Sequence, residues 1–506
     1  MGLKEFYRLL DQGLMTQAFQ EAASLSGDQR SEAQIVKAMF IVLNGSVDQA
    51  NSIIEDVLTR ILDNSYLHTL ALLAKFWVLM LQAKYKEGWA EYQRVELLLT
   101  KLPPGDHNIK SKIFRPKFLL GIAKYMKAVY SISKGNNDEV SELYFQALEV
   151  AEEEDFPLKS LKIEIFNDLG VLAERRGDWA LATDFYERIL DVCDQLNNAP
   201  FKSHAYMLLG RMYQRQGNLD RASEYYHQAL DLAKQHEFTL YLARIKKALG
   251  TLYHARGDQK QAKQNYLDSL ALLKQTPVKA FADQTEPKYR LLLLALDVND
   301  RAQAHEHLKL LQADQSDNPD LMTTLYCKMA EAQFLKASQR FKDKAKAQDL
   351  LREIFKDENT LHHMKFTAML HLCDLLLQEF SLLGDKDLFT EAQALALQAG
   401  DLAQSWQFIP DMIRIQLLQA KFKLVKGDAQ DAFQLLTQAA EVAEKKGLGY
   451  LLAEVKEEQN RLEKQLSEWK DLSDRNAPLQ ERIAFSEVEA YLQEAIKLRD
   501  LTPSLH

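Results

Sequence analysis

Between Phe166 and Leu270 the same order of apolar and polar positions is written three times, forty residues apart. The copies read DLGVLAERRGDWALATDFYERIL, LLGRMYQRQGNLDRASEYYHQAL and ALGTLYHARGDQKQAKQNYLDSL. Gly170, Gly210 and Gly250 are in register, as are Gly177, Gly217 and Gly257. A fixed period of this size predicts stacked helix pairs, because one pair cannot bury its own apolar face.

A glycine followed five residues later by a small residue marks the turn inside each pair. The glycine can adopt the left-handed conformation that ends a helix, and the small residue lets the second helix close on the first. Gly45/Ala50, Gly177/Ala182, Gly217/Ala222, Gly257/Ala262 and Gly427/Ala432 are clear instances. Weaker ones are Gly13/Ala18, Ala83/Gly88, Gly135/Val140, Asn299/Ala304, Lys342/Ala347 and Asp387/Ala392. This register makes Ala222 a close helix contact, where arginine would destabilise strongly.

The long step from Ala83 to Gly135 contains Leu102-Pro103-Pro104-Gly105-Asp106, a loop signal, since neither proline fits a helix interior. Softer breaks are expected at Gln275 to Pro287 and at Ala313 to Pro319. After Gly449 the period is lost. Leu451 to Trp469 reads as one long helix with Val455, Leu462, Leu466 and Trp469 on one stripe, and Asp471 to Pro478 reads as a turn. Ser486 to Leu498 reads as a last helix with Val488, Leu492, Ala495 and Ile496 inward and Ser486/Glu489 as a capping box. The tail is either a cap on the last repeat or a short coiled-coil dimer with Gln459 at its seam. Its length falls short of a stable coiled coil, which favours the cap. The domains expected are helical repeats at 1–101, an irregular joint at 102–117, the best-matching repeats at 118–275, divergent repeats at 276–448 and capping helices at 449–506.

Strand-like alternation is scarce, and 47% apolar content over 506 residues supports a continuous all-α core. A net charge of −9 gives the whole chain no electrostatic footprint for nucleic acid. Cys193, Cys327 and Cys373 are odd in number and far apart, which points to a reducing compartment rather than a disulfide framework. The first residues, MGLKEFYRLLDQG, lack the features of a signal peptide, and Phe6 stands where myristoylation wants Ser or Thr. Leu67 to Leu81, interrupted by Lys75, is too short to span a bilayer and reads as a buried helix. A cytoplasmic protein without membrane attachment is expected.

Catalysis has no motif to stand on: there is no phosphate loop, CxxC or HExxH. His362, His363 and His371 lie near Cys373, but His371 and Cys373 cannot share a helix face. No metal or cofactor is expected.

The repeats resemble the tetratricopeptide repeat (TPR) family. The middle copy carries the pattern in Tyr206, Leu209, Gly210 and Tyr213, then Ala222, Tyr226 and Ala229. Its neighbours follow with departures at Ala173, Ile189 and Lys246. The closing proline of the family is replaced by Asp194, Lys234 and Lys274, and each repeat is about six residues longer than the norm. The long form is similar to the repeats of kinesin light chain, of Leu-Gly-Asn-type adaptors and of bacterial TPR peptide sensors. The resemblance implies a right-handed superhelical solenoid whose first helices line an inner groove.

Carried onto this sequence, the resemblance places Ile122, Tyr125 and Val129, then Glu164, Asn167, Val171, Glu174 and Arg175, on that groove. It continues with His204, Met207, Arg211, Gln214 and Arg215, and with Arg244, Lys247, Thr251 and His254. Asn can bond a peptide backbone both ways, and Arg offers forked donors to carboxylates. The groove therefore suits a peptide or protein segment with an acidic residue beside an apolar anchor, although a merely solvated face remains the alternative. Reversing the charges of Arg211 and Lys247 is expected to abolish such binding and leave the fold unchanged. The function implied is a non-enzymatic interaction scaffold or adaptor. The alternative is a regulatory sensor whose superhelix changes shape on binding. The chain is expected to be a monomer, or a weak homodimer through its C-terminal helices.

Overall fold

The computed structural model describes residues 2–500 except 44–46, 62–64, 82–83, 101–115, 134–138, 154–155, 157, 237, 276–280, 318–320, 358–359, 361 and 406–407. The described residues form twenty-six α-helices and no strand. The first eight helices are α1 (Gly2–Asp11), α2 (Met15–Ser24), α3 (Gly27–Leu43), α4 (Val47–Arg60), α5 (Ser65–Leu81), α6 (Tyr85–Leu99), α7 (Pro116–Ser133) and α8 (Val140–Ala151). The best-matching repeats give α9 (Leu161–Arg175), α10 (Trp179–Leu196), α11 (Ala199–Arg215), α12 (Leu219–Gln235), α13 (Thr239–Ala255) and α14 (Gln259–Gln275). Then come α15 (Phe281–Asp297), α16 (Arg301–Asp317), α17 (Leu321–Lys336), α18 (Phe341–Lys356), α19 (His362–Leu383), α20 (Lys386–Ser405), α21 (Ile409–Lys426) and α22 (Ala429–Lys445). The tail holds α23 (Gly449–Lys464), α24 (Leu466–Asp474), α25 (Leu479–Ser486) and α26 (Val488–Asp500).

Helices α1 to α22 make eleven antiparallel pairs, one for each turn marker in the sequence. The small residues sit where the register puts them: Ala18, Ala50, Val140, Ala182, Ala222, Ala262, Ala304, Ala347, Ala392 and Ala432 are all 0% exposed. Gly13, Gly177, Gly217, Gly257, Asn299 and Gly427 have positive φ, as the turn requires. Two markers are offset. Lys342 and Asp387 lie inside the first turns of α18 and α20, and the left-handed residue before α20 is Gly384. The turn markers Gly45, Ala83 and Gly135 lie outside the described residues, as do Pro103 and Pro104 of the expected joint.

First helices of successive pairs pack on one another, as in α3–α5, α5–α7, α11–α13 and α15–α17, while second helices meet through long side chains such as Arg352 with Glu391 and Lys263 with Gln303. The first helices therefore form the concave side. Turns of the superhelix also close on each other. Asp11, ending α1, accepts hydrogen bonds from the Ser160 and Lys159 amides at 2.8 and 3.2 Å, and Asn198 Nδ2 donates to the Asp11 carbonyl at 2.7 Å. Further along, the Arg175 guanidinium lies 5.5 Å from the Phe408 ring, and Trp179 packs on the cluster around Ile413 and Leu448. These long-range contacts narrow the interior.

Five expectations need correction. Pro287 lies inside α15, with Thr285, Glu286, Tyr289 and Arg290 buried around it. Burial there outweighs the roughly 3 kcal/mol that an interior proline costs. Residues 313–317 continue α16. The tail helix breaks at Gln465, which leaves Leu466 49% exposed, whereas Val455, Leu462 and Trp469 are buried. The expected turn at 471–478 is helical to Asp474, and 479–486 forms a helix. The capping box does not form either. Ser486 ends α25, its hydroxyl donating to the Ile483 carbonyl, and Glu489 accepts from Ser381 instead.

The buried-helix reading of Leu67 to Leu81 holds in α5. A longer apolar run, His363–Leu383 in α19, has the length and composition to cross a membrane. Two-thirds of it (67%) is buried inside the protein, and it carries Asp374 paired to Lys336 at 2.7 Å.

Candidate functional site

The concave residues of α7 to α15 fall into two sets. The first is a buried ionic knot. Glu174 is 0% exposed and accepts from Tyr186 Oη and, at 3.3 Å, from Arg211 Nη2, while Arg215 Nε stands 3.5 Å away. Gln214 Oε1 accepts from Tyr226 Oη at 3.0 Å. His254 Nε2 meets Asp297 at 2.7 Å, and Tyr125 is buried against Tyr144 and Trp77. These side chains sit where one superhelical turn lies against the next or where neighbouring pairs meet, which is why they are buried.

The second set is half-buried and borders the interior: Glu164, Asn167, His204, Met207, Arg244 and Lys247. Lys247 Nζ is 2.6 Å from Glu286, which Arg290 also holds at 3.1 Å. Burial opposes the Glu286 charge, but these two cations overcome it and hold the carboxyl at about 2. His204 is pushed down to about 3, first by burial and then by Arg244 and Arg211, so its imidazole is neutral at physiological pH. Its Nδ1 has no hydrogen-bond partner among the described residues. Arg244 and Arg211 both stand close enough to His204 to add to that shift.

On α9 the opposite holds. Glu164 is pushed up to about 7 by burial and by Asp168, and Asp168 to about 6 mainly by burial. Both folded values lie above the unfolded ones, so the native state binds more protons, and stability falls as pH rises from about 4 to about 7. Glu164→Gln is therefore expected to raise the melting temperature markedly at pH 8 and much less at pH 5. A shift of equal size at both pH values would contradict the assignment.

The structure brings Glu174, Arg211, Gln214 and Arg215 together through their neighbours and joins Lys247 to α15, leaving Glu164 and Asn167 at the α9 end. One expectation fails on this geometry: reversing Arg211 and Lys247 cannot leave the fold untouched, because each faces a buried carboxylate. Asp168, Glu286, Arg290 and Asp297 were not anticipated. Continuing the inward stripe onto the helix before Asn299 would have reached the last three.

The family model for the MalT-like TPR region matches residues 121–471. Among solved structures, apo RapI is 13% identical, covering 74% of this chain and 99% of its own, with a TM-score of 0.49. A Rap protein complexed with Competence and Sporulation Factor is 13% identical, covering 88% of this chain and 100% of its own, with a TM-score of 0.47. Yeast Tom70 is 15% identical, covering 92% and 100%, with a TM-score of 0.44. No curated protein matches the chain.

Proposed function

The chain belongs to the MalT-like TPR region family, and from that premise we propose that it is a non-enzymatic interaction scaffold. It holds a segment of a partner protein or peptide on the concave side of its first helices. What supports this reading is the half-buried pair Arg244 and Lys247 on α13, beside His204 on α11, which burial and then Arg244 and Arg211 keep neutral. A carboxylate of the segment pairs with Arg244, and an adjacent apolar side chain packs beside half-buried Tyr241 and Met207. Asn167, whose Nδ2 donates to Asp168 at 3.1 Å, keeps its amide oxygen for a backbone N–H.

Two labelled twelve-residue peptides of equal apolar content, one with Asp and Glu and one with Lys, test this by fluorescence anisotropy. The acidic peptide is expected to bind and the basic one not. Arg244→Gln, a change at a half-buried position, is expected to cost about tenfold or more in affinity, the scale of one charge-assisted hydrogen bond. Equal affinity of both peptides, or no loss with Arg244→Gln, overturns the reading.

A further inference from the structure

The last described helix does not merely cover the end of the solenoid. α26 packs on α19 and α21, both first helices, so it lies on the concave side. Glu489 accepts from Ser381 near the end of α19, and Asp500 stands 3.3 Å from His371 a few turns earlier, so α26 runs antiparallel to α19. Val488, Leu492, Ala495 and Ile496 are buried, and Tyr491 Oη donates to the Arg414 carbonyl at 3.0 Å. Tyr491 and Ala495 face Phe366, Leu370, Ile415 and Leu418 across the groove. An amphipathic helix with a carboxylate just past its apolar stripe is thus already seated on the concave surface.

The charges beneath it do not depend on it. Lys336 keeps Asp374 at 2.7 Å and Arg290 keeps Glu286 at 3.1 Å if Asp500 leaves, and burial disfavours the charged form of His371. On the α21 side Lys421 would lose the Tyr491 ring at 5.5 Å and keeps Glu458 at 2.8 Å, so departure of α26 leaves Lys336, Arg290 and Lys421 each with its carboxylate. The helix before it is anchored separately, since Lys421 bonds both Glu458 at 2.8 Å and the Ser486 carbonyl at 3.2 Å. Between anchor and helix stands Glu487, a non-glycine residue at φ 54°, a strained position suited to a hinge. The outer face of α26 is exposed at Gln493, Glu494 and Lys497.

We infer that the groove across α19 and α21 is a helix-docking site and that α26 is its resident occupant. The partner it fits is an amphipathic helix of another protein with apolar residues at i, i+4, i+7 and i+8 and a carboxylate one turn beyond. The partner gains the groove by displacing α26, which competes as a tethered ligand and lowers the apparent affinity. The inference rests on the concave-face reading above, but it concerns a different stretch of that face.

The probe is a fluorescein-labelled peptide of residues 487–500, titrated into the full chain. Leu492→Ala/Ile496→Ala weakens the resident helix and leaves the groove intact, so the peptide is expected to bind this variant about tenfold or more tighter than the unaltered chain. Ser381→Cys/Glu489→Cys joined by a short bismaleimide is expected to bind no peptide. The native thiols are buried, and burial raises all three, so they do not compete for the reagent. In the unaltered chain, amides of 488–500 are expected to exchange hydrogen well before those of α21. Equal binding to all three chains, protection of α26 matching α21, or bridged dimers that assign the groove to a second copy's α26 would each overturn the inference. Arg244→Gln leaves this peptide's binding unchanged, which separates failure here from failure of the acidic-segment reading.

Discussion

Gly210→Val is expected to destabilise the chain by about 3 kcal/mol, the upper end of what over-packing a filled core costs. A Cβ at Gly210 would stand 2.6 Å from Tyr226 Cδ1 and 2.7 Å from Cε1. The ring cannot retreat, because Tyr226 is fully buried and its hydroxyl is held by Gln214. The same glycine-on-tyrosine contact recurs at Gly170/Tyr186 and Gly250/Tyr266, so it is the repeat's own packing device. Gly217→Ala is the control. It meets nothing within 4 Å and suffers only the left-handed backbone cost of about 1–2 kcal/mol. Urea denaturation separates the two. A smaller loss for Gly210→Val than for Gly217→Ala would contradict the close approach of the paired helices.

Arg211→Glu is expected to cost about 3–5 kcal/mol, the range for breaking a buried ion pair. Glu174 loses its partner and gains a like charge in a site without solvent, and Arg215 at 3.5 Å offsets only part of this. Adding Glu174→Gln to the same chain removes the repulsion and recovers much of the loss, the signature of direct coupling in a double-mutant cycle. The deficit also shrinks as pH falls from 8 to 5. The paired carboxyls then titrate above their unfolded values, so the native state takes up the proton first. A pH-independent deficit would show that the two side chains do not face each other.

The helix-pair architecture was readable because it is local. A turn glycine and the small residue five places on are set by the geometry of two adjacent helices, and every described small residue of that kind is buried as expected. What escaped the reading depends on distant segments. Pro287 looks like a breaker until the burial of Tyr289 and Arg290 is known. Ser486 and Glu489 look like a capping box until Ser381 is seen to claim the Glu489 carboxylate. Asp11 gives no sign in sequence that it bonds the start of a helix nearly 150 residues on. Of the inward stripe on α9 to α13, Glu174, Arg211 and Gln214 spend polar atoms on one another and on core tyrosines. Arg244 and Lys247 stand half-buried at the border of the interior, and Lys247 is shared with Glu286.

The most direct measurement places a photo-cross-linking residue at Met207 on the concave side and, in a second chain, at Leu267 on the exposed face of α14, each with the acidic twelve-residue peptide. Cross-linking at 207 and not at 267, lost when Arg244→Gln is added, is the result the account predicts. Equal labelling at both positions, or labelling at 267 alone, would contradict binding on the first-helix face.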